Sequence, residues 1–139
     1  LGCFVQTASA RQRRLSMSVS RLSPVALKKI LSGEVKEDAT CVVKFYSNGC
    51  HLCHNLKEYY EDLSDNEEYN DIHFFAFNVD NDPKIEKKLK FNGVPTISIV
   101  KTFVEDETPT VSILRDPDNP NEQTWYRISD IRNFIKENR

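Results

Sequence analysis

Two cysteines three residues apart stand in the segment Cys50-His51-Leu52-Cys53-His54, and thiols at that spacing can do redox chemistry. The run before them, Cys41-Val42-Val43-Lys44-Phe45-Tyr46, is β-branched and aromatic and is ended by Ser47-Asn48-Gly49, whereas after them apolar residues recur at helical steps. Cys50 therefore falls where a strand gives way to a helix. A thiol there faces unpaired N–H groups at the positive end of the helix dipole, which stabilise thiolate over thiol and lower the pKa from about 8.5. Protonated His51 adds a positive charge beside the sulfur, and the motif holds no carboxylate to oppose it. Cys50 is expected to titrate below about 7 and to act as a nucleophile. Cys53, one turn further and deeper, can reach the Cys50 sulfur and resolve a mixed disulfide. Together they read as a redox dithiol.

The same five residues match C-x-x-C-H, the attachment pattern of c-type haem, with Cys50 and Cys53 as thioether sites and His54 as axial ligand. A sixth ligand would then have to come from Met17, far upstream, or His73, and the strand-rich surroundings disagree with a mostly helical cytochrome. Haem is kept as an alternative. Zinc on Cys50, Cys53 and His54 lacks a clear fourth ligand, because Cys41 begins a strand about a strand length away, and no metal is expected.

Other residues have plainer readings. His54 reads as an exposed helix residue, His73 as a strand residue and Cys41 as a small hydrophobe in the core. Trp125 and Tyr126 anchor the last helix to the sheet. Lys84, Lys87, Lys88 and Lys90 form a solvated helix face.

The elements that must position the dithiol follow from patterning. Ser23 as N-cap, Pro24 at the first helical position and Gly33 beyond the end outline a short helix carrying Leu27 and Ile30. A strand over 41–46 leads into a helix over about 50–63 with Leu52, Leu56, Tyr59 and Leu63 as its apolar points. A second strand over 72–79 passes through Asp82 as cap and Pro83 at the first position into a short helix with Ile85 and Leu89. Strand, helix and strand at these lengths need a parallel right-handed crossover, a βαβ unit. Runs over 96–104 and 110–114 read as an antiparallel hairpin, 116–121 as a surface loop, and a last helix opened by Ser129 turns Ile131, Phe134 and Ile135 inward.

With 139 residues, 39% of them hydrophobic and 29% charged, the chain has room for one ordinary domain. Its mean hydropathy of -0.54 and lack of a long apolar run exclude a membrane-spanning helix. The net charge of -2 hides an asymmetry: residues 1–21 hold Arg11, Arg13, Arg14 and Arg21 without an acid, so the body from 22 onward stands at -6. An acidic body without a basic stripe argues against nucleic acid as a partner. Residues 1–20 are read as a disordered tail, either a reading-frame extension ahead of Met17 or a targeting segment, and 21–139 as the folded domain. Cys3 falls in that tail as a dispensable thiol.

The order strand, C-x-x-C, helix, strand, helix, Gly93-Val94-Pro95-Thr96, hairpin, helix resembles the thioredoxin superfamily over residues 22–139. Val42-Val43-Lys44-Phe45-Tyr46 before Cys50 and Cys53 is similar to that family's central strand and active-site helix, and Asn78-Val79-Asp80 to its third strand. The resemblance implies an α/β thioredoxin-like fold, a central mixed sheet built from the βαβ unit and the hairpin and flanked by helices. It also implies that Pro95 is cis, lies against the two cysteines and exposes the Val94 backbone for pairing with a substrate segment. The chain departs from the pattern at several places, among them an insertion over 116–123 and no evident glycine after the last strand. Lys44 stands where the family has a buried acid, and an outward or snorkelling side chain is favoured over a lysine of depressed pKa. Gly49 replaces the usual tryptophan, and His51-Leu52 replaces Gly-Pro between the cysteines. A stabilised Cys50 thiolate then implies a poise more oxidising than that of a Gly-Pro thioredoxin.

These readings converge on a thiol–disulfide oxidoreductase with Cys50 attacking, Cys53 resolving and Pro95 shaping the groove, and with Gly49, His51, Leu52, Val94 and Lys44 binding substrate or tuning pKa. The dithiol is its own redox carrier, without a further cofactor. Expected partners are protein disulfides and a reductant such as a thioredoxin reductase or glutathione, for a monomer of the cytoplasm, or of an organelle if the tail is a transit segment. The competing reading is an interaction or assembly module of the same fold whose dithiol is not turned over.

Overall fold

The computed structural model describes residues 18–105 and 107–139. The sequence expectations for Cys3 and Met17 lie outside them. Five strands, β1 (Val19–Arg21), β2 (Ala39–Tyr46), β3 (Ile72–Asn78), β4 (Thr96–Thr102) and β5 (Thr110–Ile113), form one sheet in the order β1-β3-β2-β4-β5. Among the described residues, four α-helices, α1 (Pro24–Leu31), α2 (His51–Ser64), α3 (Ile85–Leu89) and α4 (Ile128–Asn138), cover it.

β2 is central because residues 41–45 are buried without interruption, as a strand covered on both faces must be. It runs parallel to β3, with Thr40 opposite Ile72 and Tyr46 opposite Asn78, and antiparallel to β4, with Lys44 opposite Ile97. This is the expected βαβ unit, and β4 and β5 form the expected antiparallel hairpin. The pleat splits the core. Val42 packs with Leu56, Tyr60, Phe74 and Ile131 in one cluster, while Val43 and Phe45 pack with Leu27, Phe77 and Ile85 in the other. Phe45 and Phe77 meet edge to face with ring centroids 5.6 Å apart.

Helix starts follow local chemistry where it is strong. The Ser23 hydroxyl accepts the Ala26 N–H at 3.1 Å ahead of Pro24, and Gly33 takes the positive φ, 83°, that ends the turn.

Several boundaries differ from the sequence expectation. Val19 and Ser20 belong to β1, a parallel edge strand against Phe74 and Phe75, not to a tail. A short strand of ordinary composition carries no local signal, because its stability comes from pairing with β3. α3 starts at Ile85 rather than Pro83, since Asp82 closes a 3-10 turn over Val79–Asn81 that also ends β3 at Asn78. α4 is opened by Arg127, whose N–H donates to the Asp130 carboxylate at 2.8 Å, and Ser129 already lies inside the helix. β4 stops at Thr102, leaving Val104 55% exposed. In α2 the inward tyrosine is Tyr60, fully buried, and not Tyr59, which is 52% exposed; Leu56, Tyr60 and Leu63 make the stripe.

Candidate active site

The turn 47–49 carries the chain from β2 into α2 and is tied down at both ends. The Cys50 N–H donates to the Ser47 carbonyl at 3.3 Å, the Asn48 N–H donates to the Asp80 carboxylate at 3.0 Å, and Asn78 donates to the Asn48 side-chain oxygen at 2.9 Å. Asp80 and Asn78, at the end of β3, thus hold the loop that presents Cys50. Sequence reading missed this link because it joins positions about 30 residues apart.

Cys50 is the N-cap of α2, and its Sγ accepts the Cys53 N–H at 3.0 Å. The orphan donor of the helix start points at the sulfur, the arrangement that stabilises negative charge there. Cys50 is half-buried, Cys53 is buried, and the two are joined as a disulfide with Cα atoms 5.3 Å apart. His51 is exposed and Leu52 half-buried on the first turn, and Gly49 is exposed with open space where a Cβ would stand. The bare surface at Gly49 leaves the disulfide approachable from that side.

The loop 93–96 meets the cysteines from across the sheet. The Val94–Pro95 bond is cis, the Thr96 hydroxyl donates to the Gly93 carbonyl at 2.7 Å, and Cys50 Sγ lies 3.7 Å from the Val94 carbonyl oxygen. Pro95 is buried and Val94 half-buried. The structure thus places Val94 against Cys50, with the cis Pro95 next to it in the chain.

Lys44 overturns its expectation. It is neither outward nor snorkelling but buried, with only 4% of its surface exposed, on the same side of β2 as Val42 and so beneath α2. Its Nζ stands over the rings of Tyr60 and Tyr46, 5.1 and 5.7 Å from their centroids. Cation–π contact offsets part of the desolvation that burial imposes on an ammonium group. Burial nonetheless pulls the Lys44 pKa down to about 8, against the opposing influence of Glu61 and with some help from Lys57. Tyr60 is fixed in turn, its hydroxyl donating to the Val42 and Phe75 carbonyls at 3.1 and 2.7 Å.

Lys44, Cys50 and Cys53 line one cleft of about 370 Å³, with Tyr60, Ala76 and Glu61 among its other walls. Exposed Arg21, His54 and Lys57 also border it, so it opens to solvent. The contributions of Arg21, Lys57, Tyr60 and Glu61 escaped the sequence reading. Lys57, Tyr60 and Glu61 had an available signal, their helical spacing from Cys53.

The remaining residues sit where their plainer readings put them. His54 and His73 are exposed, Cys41 is buried, and Tyr126 is buried with its hydroxyl 3.4 Å from the Leu114 carbonyl. The segment 116–123 is pinned to the outside of α2 where Asn55 donates to the Gln123 carbonyl at 2.9 Å.

Among solved structures, mitochondrial thioredoxin 3 of Saccharomyces cerevisiae is 17% identical to this chain, covering 89% of it and 98% of its own length with a TM-score of 0.61. A thioredoxin of Schistosoma mansoni is 21% identical, covering 88% of this chain and 98% of its own with a TM-score of 0.61. A chain from the complex of ferredoxin:thioredoxin reductase with thioredoxin f2 is 18% identical, covering 86% and 93% with a TM-score of 0.61. At such identities the likeness speaks for the fold. The sequence pattern described as Thioredoxin matches residues 25–118, which run from α1 through both cysteines, Pro95 and the hairpin into the loop that follows it. With that match over most of its length, this chain belongs to the thioredoxin family.

Proposed function

We propose that this protein is a thiol–disulfide oxidoreductase acting on protein disulfides. In the reduced form the Cys50 thiolate attacks one sulfur of a substrate disulfide, forming a mixed disulfide and releasing one substrate thiolate, which takes up a proton. Cys53 then loses its proton and attacks Cys50 Sγ, so that the Cys50–Cys53 bond forms and the second substrate thiolate leaves. Two electrons pass from the dithiol to the substrate, and the dithiol is the only redox carrier the reaction needs. The observation that carries this reading is Cys50 Sγ at the start of α2, accepting the Cys53 N–H at 3.0 Å and bonded to the Cys53 sulfur.

Pro95 and Val94 shape the groove. The Val94 carbonyl near the sulfur offers an acceptor to an extended substrate segment, and proline next to it cannot compete as a donor. His51, Leu52 and exposed Gly49 form the surface that a substrate meets first. A thioredoxin reductase or glutathione closes the cycle by returning two electrons.

Turnover of insulin disulfides with dithiothreitol as reductant tests this. Wild type should reduce them, Cys50→Ser should not, and Cys53→Ser should accumulate a mixed disulfide. Full turnover by Cys50→Ser would overturn the mechanism, and no turnover by the wild type would favour an interaction module of the same fold.

A further inference from the structure

Lys44 is a buried base-forming side chain that the two thiol steps above do not use. Its strand position puts it opposite Ala76 on β3 and Ile97 on β4. The small Ala76 side chain shares the cleft wall with it, and the cleft reaches from Lys44 to both cysteines. The titratable and charged groups bordering this space are Cys50, Cys53, His54, Lys57, Tyr60 and Glu61 from α2, Arg21 from β1, and Tyr46 from the end of β2.

Cys53, 3% exposed, faces a difficulty that Cys50 does not. Cys50 has the helix N-terminus to hold its negative charge, whereas a buried thiol resists ionisation. Cys41 shows how much burial does in this same molecule: its thiol is pushed up to about 11. To attack at neutral pH, Cys53 needs a group to take its proton, and Glu61, the one carboxylate among the described residues that border the cleft, is partly exposed.

We propose that Lys44 is the proton acceptor for Cys53 in the resolving step. This rests on the proposed redox function and adds a residue to it. In the mixed disulfide, the Cys53 thiol passes its proton to the neutral Lys44 amine, the new thiolate attacks Cys50 Sγ, and the bond from Cys50 to the substrate breaks. The leaving thiolate takes up the proton from the Lys44 ammonium, directly or relayed through solvent, which returns Lys44 to its neutral form. A lysine titrating near 8 holds an appreciable neutral fraction at physiological pH, which an exposed lysine does not. Tyr46 and Tyr60 steady the ammonium form between the two transfers.

Reaction of the reduced protein with the aromatic disulfide 5,5′-dithiobis(2-nitrobenzoate) separates the steps. Attack by Cys50 releases the first thionitrobenzoate at a rate proportional to reagent, and resolution by Cys53 releases the second at a rate independent of it. Lys44→Met should slow the second phase by roughly tenfold or more at neutral pH and move its midpoint upward, leaving the first phase within about twofold. Lys44→Arg keeps the charge but cannot accept a proton, and should be as slow as Lys44→Met. A second phase unchanged in Lys44→Met, or restored in Lys44→Arg, overturns the proposal. Loss of the first phase in wild type, or its survival in Cys50→Ser, instead overturns the parent redox reading. A measurement without substitution guards against misfolding: the Lys44 side-chain carbon resonance, followed across pH, should titrate higher in the reduced protein than in the oxidised one. Superimposable curves also overturn the proposal.

Discussion

Cys41 and Cys53 are equally hidden, 5% and 3% exposed, yet their surroundings differ in kind. Cys41 projects from β2 into the cluster formed by Val43, Phe45 and Phe77, where burial, aided by the charge of Glu37, drives its pKa up to about 11. Cys53 borders a solvent-connected cleft with a lysine inside it and a partner sulfur capping its own helix. Burial by itself makes a thiol inert. What sets the two thiols apart is the helix start, the cleft and the charged lysine on the α2 side, whereas the buried polar groups on the other side, Thr96 opposite Phe45 and Ser98 opposite Val43, are uncharged.

The contrast breaks most visibly at the sulfurs. Cys50→Ser should lower disulfide turnover by roughly a thousandfold or more, whereas Cys41→Ala should leave it within about twofold, read as rates of insulin reduction. Comparable losses in both variants would erase the distinction between the two faces.

Next comes packing on the apolar face. Phe45→Ala removes a fully buried ring that touches Phe77 and Phe91, and should cost about 3–5 kcal/mol in urea unfolding. A cost near 1 kcal/mol would show that this face collapses to refill the space.

On the polar face the expected sign is reversed. The Lys44 pKa is lower in the folded chain than its ordinary 10.5, so between about 8 and 10.5 the unfolded chain binds more protons and stability rises with pH. At neutral pH the buried ammonium is a burden. Lys44→Met should be more stable than wild type by about 2–3 kcal/mol at pH 7, and the gap should close as pH passes about 10.5. Equal stability at pH 7 would mean that cation–π contact and Glu61 fully offset the burial. A residue that lowers stability and speeds resolution would place the site on the function side of the usual trade-off.

The smallest effect is expected at Cys41 itself. Cys41→Ala should cost about 1 kcal/mol, and in native reduced protein iodoacetamide should label Cys50 well before Cys41, as read by peptide mapping. Cys41 labelling at the same rate as Cys50 would show that its cluster opens readily.

Much of this was legible in the chain. Ser23-Pro24 and Gly33, the run 41–46, and the cysteine spacing at a strand-to-helix junction act within a few residues of one another, so capping, period and dipole could be read without knowing what lay across the sheet. The position of Cys50 at a helix start and the βαβ order follow from those local signals alone.

Other features were decided only by the tertiary structure, and each depends on contacts between distant positions. β1 exists because β3 offers an edge to Val19–Arg21, and the turn that leads into Cys50 is held by Asp80 from far along the chain. Tyr59 continues a helical stripe from Leu52 and Tyr60 one from Cys53, both with Leu56 and Leu63, so only the direction of α2 over the sheet could choose the buried one. Lys44 is the sharpest case. In a strand where residues 41–45 are all buried, alternation reveals two faces but not which of them α2 will cover. Once α2 settles on the Val42 side, the pleat carries Lys44 beneath it, and a charge that its sequence neighbours gave no reason to bury comes to share a cleft with the dithiol.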